Sequence, residues 1–198
     1  MDIQAITRLI FESGTLRGTP RSHRQLLLTR DDSDNIAAHS FQVAVIGFFL
    51  AHLEGVDPYK VVVMCLFHDL GETRTGDKNW VHRPYVVEDE PAIVRSQFGP
   101  FEEIGLPALM LEQLEHKSPE ARVVKDADVL GQILLLLEYA RAGNKEAEQW
   151  LGGRTEKRPY AYVDYLRTPS GQALGRSLYD TPVNDWWAQL YSGEKRKK

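Results

Sequence analysis

The run Val61–Gly71, VVVMCLFHDLG, is apolar on nearly every side of a helix and yet ends in His68-Asp69. It follows Asp57-Pro58, an N-cap acid with proline at the first helical position. A helix that is apolar all round must be covered all round, so the rest of the chain has to pack around this one. Burying an ionised carboxylate at its end costs several kcal/mol unless a cation or hydrogen bonds compensate. Taken alone the His-Asp pair is weak, because a core histidine bonded to its neighbours would look the same.

Two other helical segments repeat the problem. Residues 35–54 carry Ile36, His39, Val43, Ile46, Gly47 and Leu50 along one side, which turns His39 inward. Ser118-Pro119-Glu120 opens a helix that runs to Gly143 with Asp126 and Asp128 inside it. These two acids are about 200° apart on a helical wheel, so at most one faces the core. Asp128, on the face of Val124, Gln132 and Leu135, is the inward one, and Asp126 reads as a solvated acid. Two imidazoles and two carboxylates converging from three helices make a set suited to Mn²⁺, Fe²⁺, Co²⁺ or Mg²⁺, with positions left open for water and substrate.

Further helices are expected at 3–14, 88–98, 107–116, 144–151, 160–178 and 181–191, the last with Val183, Trp186, Trp187, Leu190 and Tyr191 on a face expected to dock on the core, with a subunit interface as the alternative. No stretch alternates with period two for long enough to form a sheet. The fold class is therefore all-α, a helical bundle with additional C-terminal helices. One domain over 1–198 is expected, with the metal-site core at 35–140, C-terminal helices at 144–191 and a disordered tail at 192–198.

The chain has 198 residues, 42% hydrophobic and 26% charged, with a formal charge of −4. That charge argues against a long polyanion as the main partner, since nucleic-acid binders usually carry a basic face. The one cysteine, Cys65, lies in the apolar run and has no internal disulfide partner. The N-terminus lacks the pattern of a secretion signal, and no stretch approaches the roughly 20 apolar residues of a membrane span. A cytoplasmic protein without nucleic-acid or membrane partners is expected. Residues 15–34 form a long polar connection, a length that is uncommon without a function. His23, His52 and His82 read as surface or loop residues, and so does His116, although it lies just upstream of the Asp128 helix.

The order His39, His68-Asp69, Asp128 resembles the H…HD…D signature of the HD superfamily, whose members are helical metal-dependent phosphohydrolases. The strings NIAAHSFQVA, LFHDLGETRTGD and VVKDADVL are similar to those of its YfbR-like 5′-deoxynucleotidase subgroup. The likeness covers roughly residues 5–140. It implies that His39, His68, Asp69 and Asp128 bind one divalent metal ion. It implies that Glu72 and Asp77 act on the attacking water, and that Arg21, in LRGTPR, reaches the substrate phosphate. Glu72, three residues after Asp69, also shares its helical face if the helix continues. A guanidinium can donate two parallel hydrogen bonds to a phosphate.

The implied activity is hydrolysis of nucleoside or deoxynucleoside 5′-monophosphates, with a homodimer as the implied assembly. Rival readings are another HD reaction (a phosphodiesterase, triphosphohydrolase or alarmone hydrolase) and a non-catalytic nucleotide sensor. Ser22-His23 after Arg21, where an aromatic residue is common, and Ala38 before the first ligand, where an acid is common, depart from the family pattern.

Overall fold

A computed structural model describes residues 1–153, 157–188 and 190. Among them are ten α-helices and no strand: α1 Ile3–Gly14, α2 Ile36–Glu54, α3 Pro58–Phe67, α4 Glu72–Thr75, α5 Glu90–Phe98, α6 Leu106–Glu115, α7 Pro119–Arg141, α8 Lys145–Leu151, α9 Pro169–Asp180 and α10 Asp185–Ala188. The helix starts follow the expected caps. Asn35 Oδ1 accepts from the Ala38 amide, Asp57 Oδ1 from those of Tyr59 and Lys60, and Ser118 Oγ from that of Ala121.

Helices α2, α3 and α7 form the centre. Val43, Leu50, Val61, Met64, Cys65, Leu130, Ile133 and Leu136 are fully buried there, and each of these except the small Cys65 contributes roughly 1.5–3 kcal/mol through burial of a large apolar side chain. At Gly47 a Cβ would stand 2.7 Å from Cys65 Sγ, so α2 and α3 approach closely only because that residue is glycine. A smaller cluster joins α1 to α5 and α6 through Ala5, Leu70, Val94, Phe98 and Met110. Cys65 is a free, buried core residue as expected.

Several expectations need correction. Helix α3 stops at Phe67, so His68-Asp69 lies in a turn after the helix rather than inside it. Asp126 is not solvated but fully buried, because α7 is covered on both sides and its second face meets the start of α9. Its carboxylate accepts from Arg167 N (2.8 Å), Thr168 N (2.8 Å) and Thr168 Oγ1 (2.7 Å). The expected helix at 160–178 begins only at Pro169, since Thr168 caps it, and residues 163–165 form a short 3-10 turn.

The final helix is shorter than 181–191, and on the face expected to dock Trp186 is 74% exposed, Trp187 40% and Leu190 52%, so these side chains are not part of the core. Tyr191 and the tail 192–198 lie outside the described residues. Helix α2 is long and apolar enough to cross a membrane by length and composition, contrary to the sequence estimate, but its His39 face is core, packed on α3 and α7. Its other face shows Phe41, Val45, Phe49 and Leu53 to solvent, four residues apart.

Candidate metal centre

The α3–α4 turn, α2 and α7 bring His39, His68, Asp69 and Asp128 together. Ligand atoms of His39, His68 and Asp69 lie within 4.8 Å of one another. His39 Nε2 is 3.1 Å from Asp128 Oδ1 and 3.5 Å from Asp69 Oδ2. The His39 ring packs over Gly131 of α7, where a Cβ would stand 3.5 Å from its Cε1, an ordinary contact distance. His68 Nε2 is 3.0 Å from Asp69 Oδ2.

The chemistry of His68 tests whether a cation fits. Its Nδ1 donates to the Cys65 carbonyl at 2.7 Å, which fixes the proton on that nitrogen in the neutral ring. The other nitrogen, Nε2, is then the one available to a cation; it is buried and faces a carboxylate oxygen 3.0 Å away. Two acceptors at that separation repel unless a positive charge lies between them. Burial would lower the pKa of His68, but Asp69 outweighs it and raises it, and the same negative field favours a divalent ion. Burial, aided by Arg21, lowers the pKa of His39 and keeps it neutral, the form that ligates metals. These residues fit a divalent ion with nitrogen and oxygen donors.

Around the cluster, Glu72 is half-buried, and its Oε2 is buried without a partner. Burial first, then Asp69 and Asp77, raise its pKa to about 10. It comes near the ligands not by continuing α3 but through a tight turn, in which its amide donates to Asp69 O at 3.0 Å and α4 begins.

The connection 15–34 is ordered by two 3-10 turns, Thr15–Gly18 and Ser22–Gln25, and by a Pro20–Asn35 bridge. It holds Arg21 buried, with Nη2 donating to Gln132 Oε1 at 3.2 Å and Nε 3.9 Å from Asp77 Oδ2. His23, expected at the surface, is buried, its Nε2 3.1 Å from Asp34 Oδ2; Tyr139 of α7 donates to the same oxygen. This network pins the loop to α7.

Sequence reasoning missed four parts of the site. Gln132, one turn beyond Asp128, positions Arg21. Lys125, three residues before Asp128, holds Asp128 Oδ2 at 2.9 Å and leaves Oδ1 toward His39. Asn79 donates to the Ser22 carbonyl at 3.0 Å. His116 lines the same cavity as Asp69 and Asp128, with a buried Nδ1 that has no partner. The i, i+3 and i, i+4 spacings flanking Asp128 carried the signal for Lys125 and Gln132. His116 offered only its position just upstream of the Asp128 helix, and Asn79 offered nothing, because its role depends on loop conformation. His52 is exposed and capped onto Phe48 O, and His82 sits in a loop, both as expected.

Comparisons with known proteins agree with this geometry. The family model described as HD domain matches residues 13–161. A 5′-deoxynucleotidase of Erwinia tasmaniensis is 28% identical over 148 residues, covering 63% of this chain and 70% of that protein. A 5′-deoxynucleotidase of Cronobacter sakazakii is 27% identical over 162 residues, covering 73% and 81%. Among solved structures, a Pyrococcus horikoshii protein superposes with a TM-score of 0.64 at 26% identity, over 87% of this chain and 99% of its own. One from Magnetospirillum magnetotacticum, described as a predicted metal-dependent phosphohydrolase, gives 0.61 at 24% identity over 92% and 95%, a likeness of fold. With three quarters of its length matched by the family model and the signature histidines and aspartates gathered at one point, this chain belongs to the HD domain family.

Proposed function

We propose that this protein is a metal-dependent phosphohydrolase that cleaves nucleoside or 2′-deoxynucleoside 5′-monophosphates to nucleoside and inorganic phosphate. The observation that carries the reading is the buried Nε2 of His68 held 3.0 Å from Asp69 Oδ2, with His39 and Asp128 beside it and Arg21 buried against Gln132 of the same helix as Asp128. The relatives named 5′-deoxynucleotidase supply the substrate class. His39, His68, Asp69 and Asp128 are the proposed ligands of one divalent ion, with Mn²⁺, Co²⁺, Fe²⁺ or Mg²⁺ matching the donor set. Such an ion supplies Lewis acidity, activating a water and offsetting charge on phosphoryl oxygens.

The chain's own groups do the rest. Arg21, held by Gln132, binds the phosphate. Asp77 uses Oδ2 on the Ser22 amide, which leaves Oδ1 to orient and deprotonate the attacking water. Glu72, at the start of α4 just after Asp69, is the group proposed to pass a proton to the leaving nucleoside oxygen. In the same proposal residues 1–198 form one HD domain acting in the cytoplasm as a homodimer, with a small nucleotide as ligand rather than nucleic acid or membrane. The free, buried Cys65 and the net charge of −4 support the compartment and the ligand class, and the family resemblance supports the dimer.

The test is phosphate release from a panel of ribo- and deoxyribonucleoside 5′-monophosphates by metal-stripped protein resupplied with Mn²⁺, Co²⁺ or Mg²⁺, beside Asp69→Ala. Release that needs the metal and vanishes in the variant is expected. Silence across the panel by metal-loaded protein would contradict the substrate assignment.

A further inference from the structure

A surface helix normally turns charged and polar side chains to solvent, and α2 does the reverse. Its exposed stripe is Ala38, Phe41, Val45, Phe49, His52 and Leu53, none of them an acid, a lysine or an arginine. Phe41 is 64% exposed, Val45 38%, Phe49 60% and Leu53 65%. His52, the one polar member, turns back onto its own helix: Nδ1 donates to Phe48 O at 2.8 Å, and the ring centroid lies 4.5 Å from that of Phe48. Phe48 in turn meets Phe49 edge to face at 5.4 Å. The aromatic part of the stripe is therefore held in place by its own neighbours. With about 150–250 Å² for each aromatic side chain, the two exposed phenylalanines present roughly 250 Å², and Val45 and Leu53 bring the stripe to roughly 400 Å². An apolar patch of that size on one helix marks a surface that another molecule covers.

We propose that a second copy of this chain docks there, α2 against α2 in antiparallel register about a two-fold axis. The inference supplies the surface for the homodimer proposed above and rests on that reading. Two facing stripes remove about 800 Å² of apolar surface, which matches the apolar share, about 56–65%, of a specific interface of about 1,200–1,600 Å². Pairing about the point midway between Val45 and Phe49 sets Phe41 against Leu53 and Phe49 against Val45. Each ring then meets a smaller aliphatic side chain, and one patch serves both copies, as a two-fold contact requires. Charge argues against other occupants. Between Arg30 and Lys60 the sequence has no lysine or arginine but five acids, Asp31, Asp32, Asp34, Glu54 and Asp57, whereas a helix lying on a membrane carries cations beside its apolar face. These acids lie beyond the ends of the stripe and accept hydrogen bonds within the chain, from Ser33, Arg24, Tyr139, Ser170 and Tyr59 respectively. The stripe itself offers no charge for a partner of opposite sign to recognise.

Sedimentation velocity of the full chain at micromolar concentration tests the assignment. Wild type should sediment as two chains, Val45→Arg and Phe49→Arg as one, and Trp186→Arg, on the exposed surface of α10, as two, with circular dichroism to show that each variant folds. A spin label on Ala38→Cys needs no change to the large side chains of the face, and the buried Cys65 stays unlabelled. Ala38 lies nine residues from the proposed axis in each copy, so a rise of 1.5 Å per residue puts the two labels roughly 30 Å apart, read as dipolar coupling. A single-chain mass for wild type would overturn both this surface and the homodimer reading. If that single chain also cosedimented with phosphatidylcholine vesicles and Phe49→Arg did not, the face would belong to a membrane. Two chains in wild type and in both α2 variants, or a two-chain protein whose labels show no coupling, would overturn this surface alone and leave the homodimer.

Discussion

The backbone N–H of Ser22 donates to Asp77 Oδ2 at 2.6 Å. Two residues further on, Asn79 Nδ2 donates to the Ser22 carbonyl, so the loop that carries Arg21 and the loop that carries Asp77 are latched through both sides of one residue. In the proposed mechanism, phosphate binding and water activation are therefore coupled by main-chain geometry. Asp77→Ala should lower kcat by about 10²–10⁴, the usual contribution of a positioned general base. Asn79→Ala, which keeps both functional side chains but loosens the latch, should instead raise KM by about tenfold with a smaller change in kcat. Initial-rate kinetics on a good monophosphate separates the two patterns, and a kcat defect equal to that of Asp77→Ala would argue against the latch.

Glu72 stands in an environment that raises its pKa to about 10, chiefly by burial, with Asp69 and Asp77 adding to it. Replacing a neutral carboxylic acid by its neutral isostere changes little in the metal-free protein at pH 7. Glu72→Gln should then melt within a few degrees of wild type, measured without metal, and yet lose about 10²-fold or more in turnover once metal is supplied. Unchanged turnover would remove Glu72 from the chemistry.

Asp126 accepts three hydrogen bonds from Arg167 and Thr168 while fully buried. Asp126→Ala leaves those donors unpaired and should cost about 3–5 kcal/mol of stability in urea unfolding. Gly171→Ala attacks the same joint, since its Cβ would stand 2.4 Å from Asp126 Oδ2. A destabilisation below about 1 kcal/mol for Asp126→Ala would mean that the α7–α9 joint contributes little.

This joint also shows where sequence reading ends. The periodicity of 35–54 and 119–141 gave the helices and the inward turn of His39 and Asp128, because a ligand on an apolar stripe has only one direction to face. The wheel put Asp126 and Asp128 on different faces, but its conclusion that at most one of them is buried failed. It could not say that the opposite face of α7 is covered as well, because the segment that covers it lies some forty residues later and is held by main-chain amides of Arg167 and Thr168 that no side-chain pattern encodes. His23 and Asp34 were hidden in the same way: their pairing closes a loop onto Tyr139, 105 residues beyond Asp34. Glu72 was placed near the ligands for the wrong local reason, by a continuing helix that in fact breaks at His68.

Glu12 joins α1 to α4 and α5 by accepting from Arg74, Thr73 and Gln97. The Arg74 guanidinium is the largest cause that lowers its pKa, from 4.5 to about 2. A depressed carboxylate stabilises the fold above its unfolded pKa, and that contribution disappears as pH falls through the folded value. Wild type should therefore lose stability relative to Glu12→Gln between about pH 4.5 and 2, by about 1 kcal/mol after allowing for solvent screening of a partly exposed pair. Parallel melting curves across that range check the sign. A constant difference between the two proteins would exclude the linkage.

The central claim is that His39, His68, Asp69 and Asp128 hold one divalent ion. Its most direct test is titration of Mn²⁺ into metal-stripped protein, followed by calorimetry and by loss of the free-ion electron paramagnetic resonance signal. One ion per chain is expected for wild type, with affinity at least about tenfold weaker in His68→Ala and Asp69→Ala, since loss of a ligand should exceed the 10–100-fold effect of losing an outer hydrogen-bond partner. Binding of one Mn²⁺ with unchanged affinity in both variants would place the ion elsewhere and contradict the account.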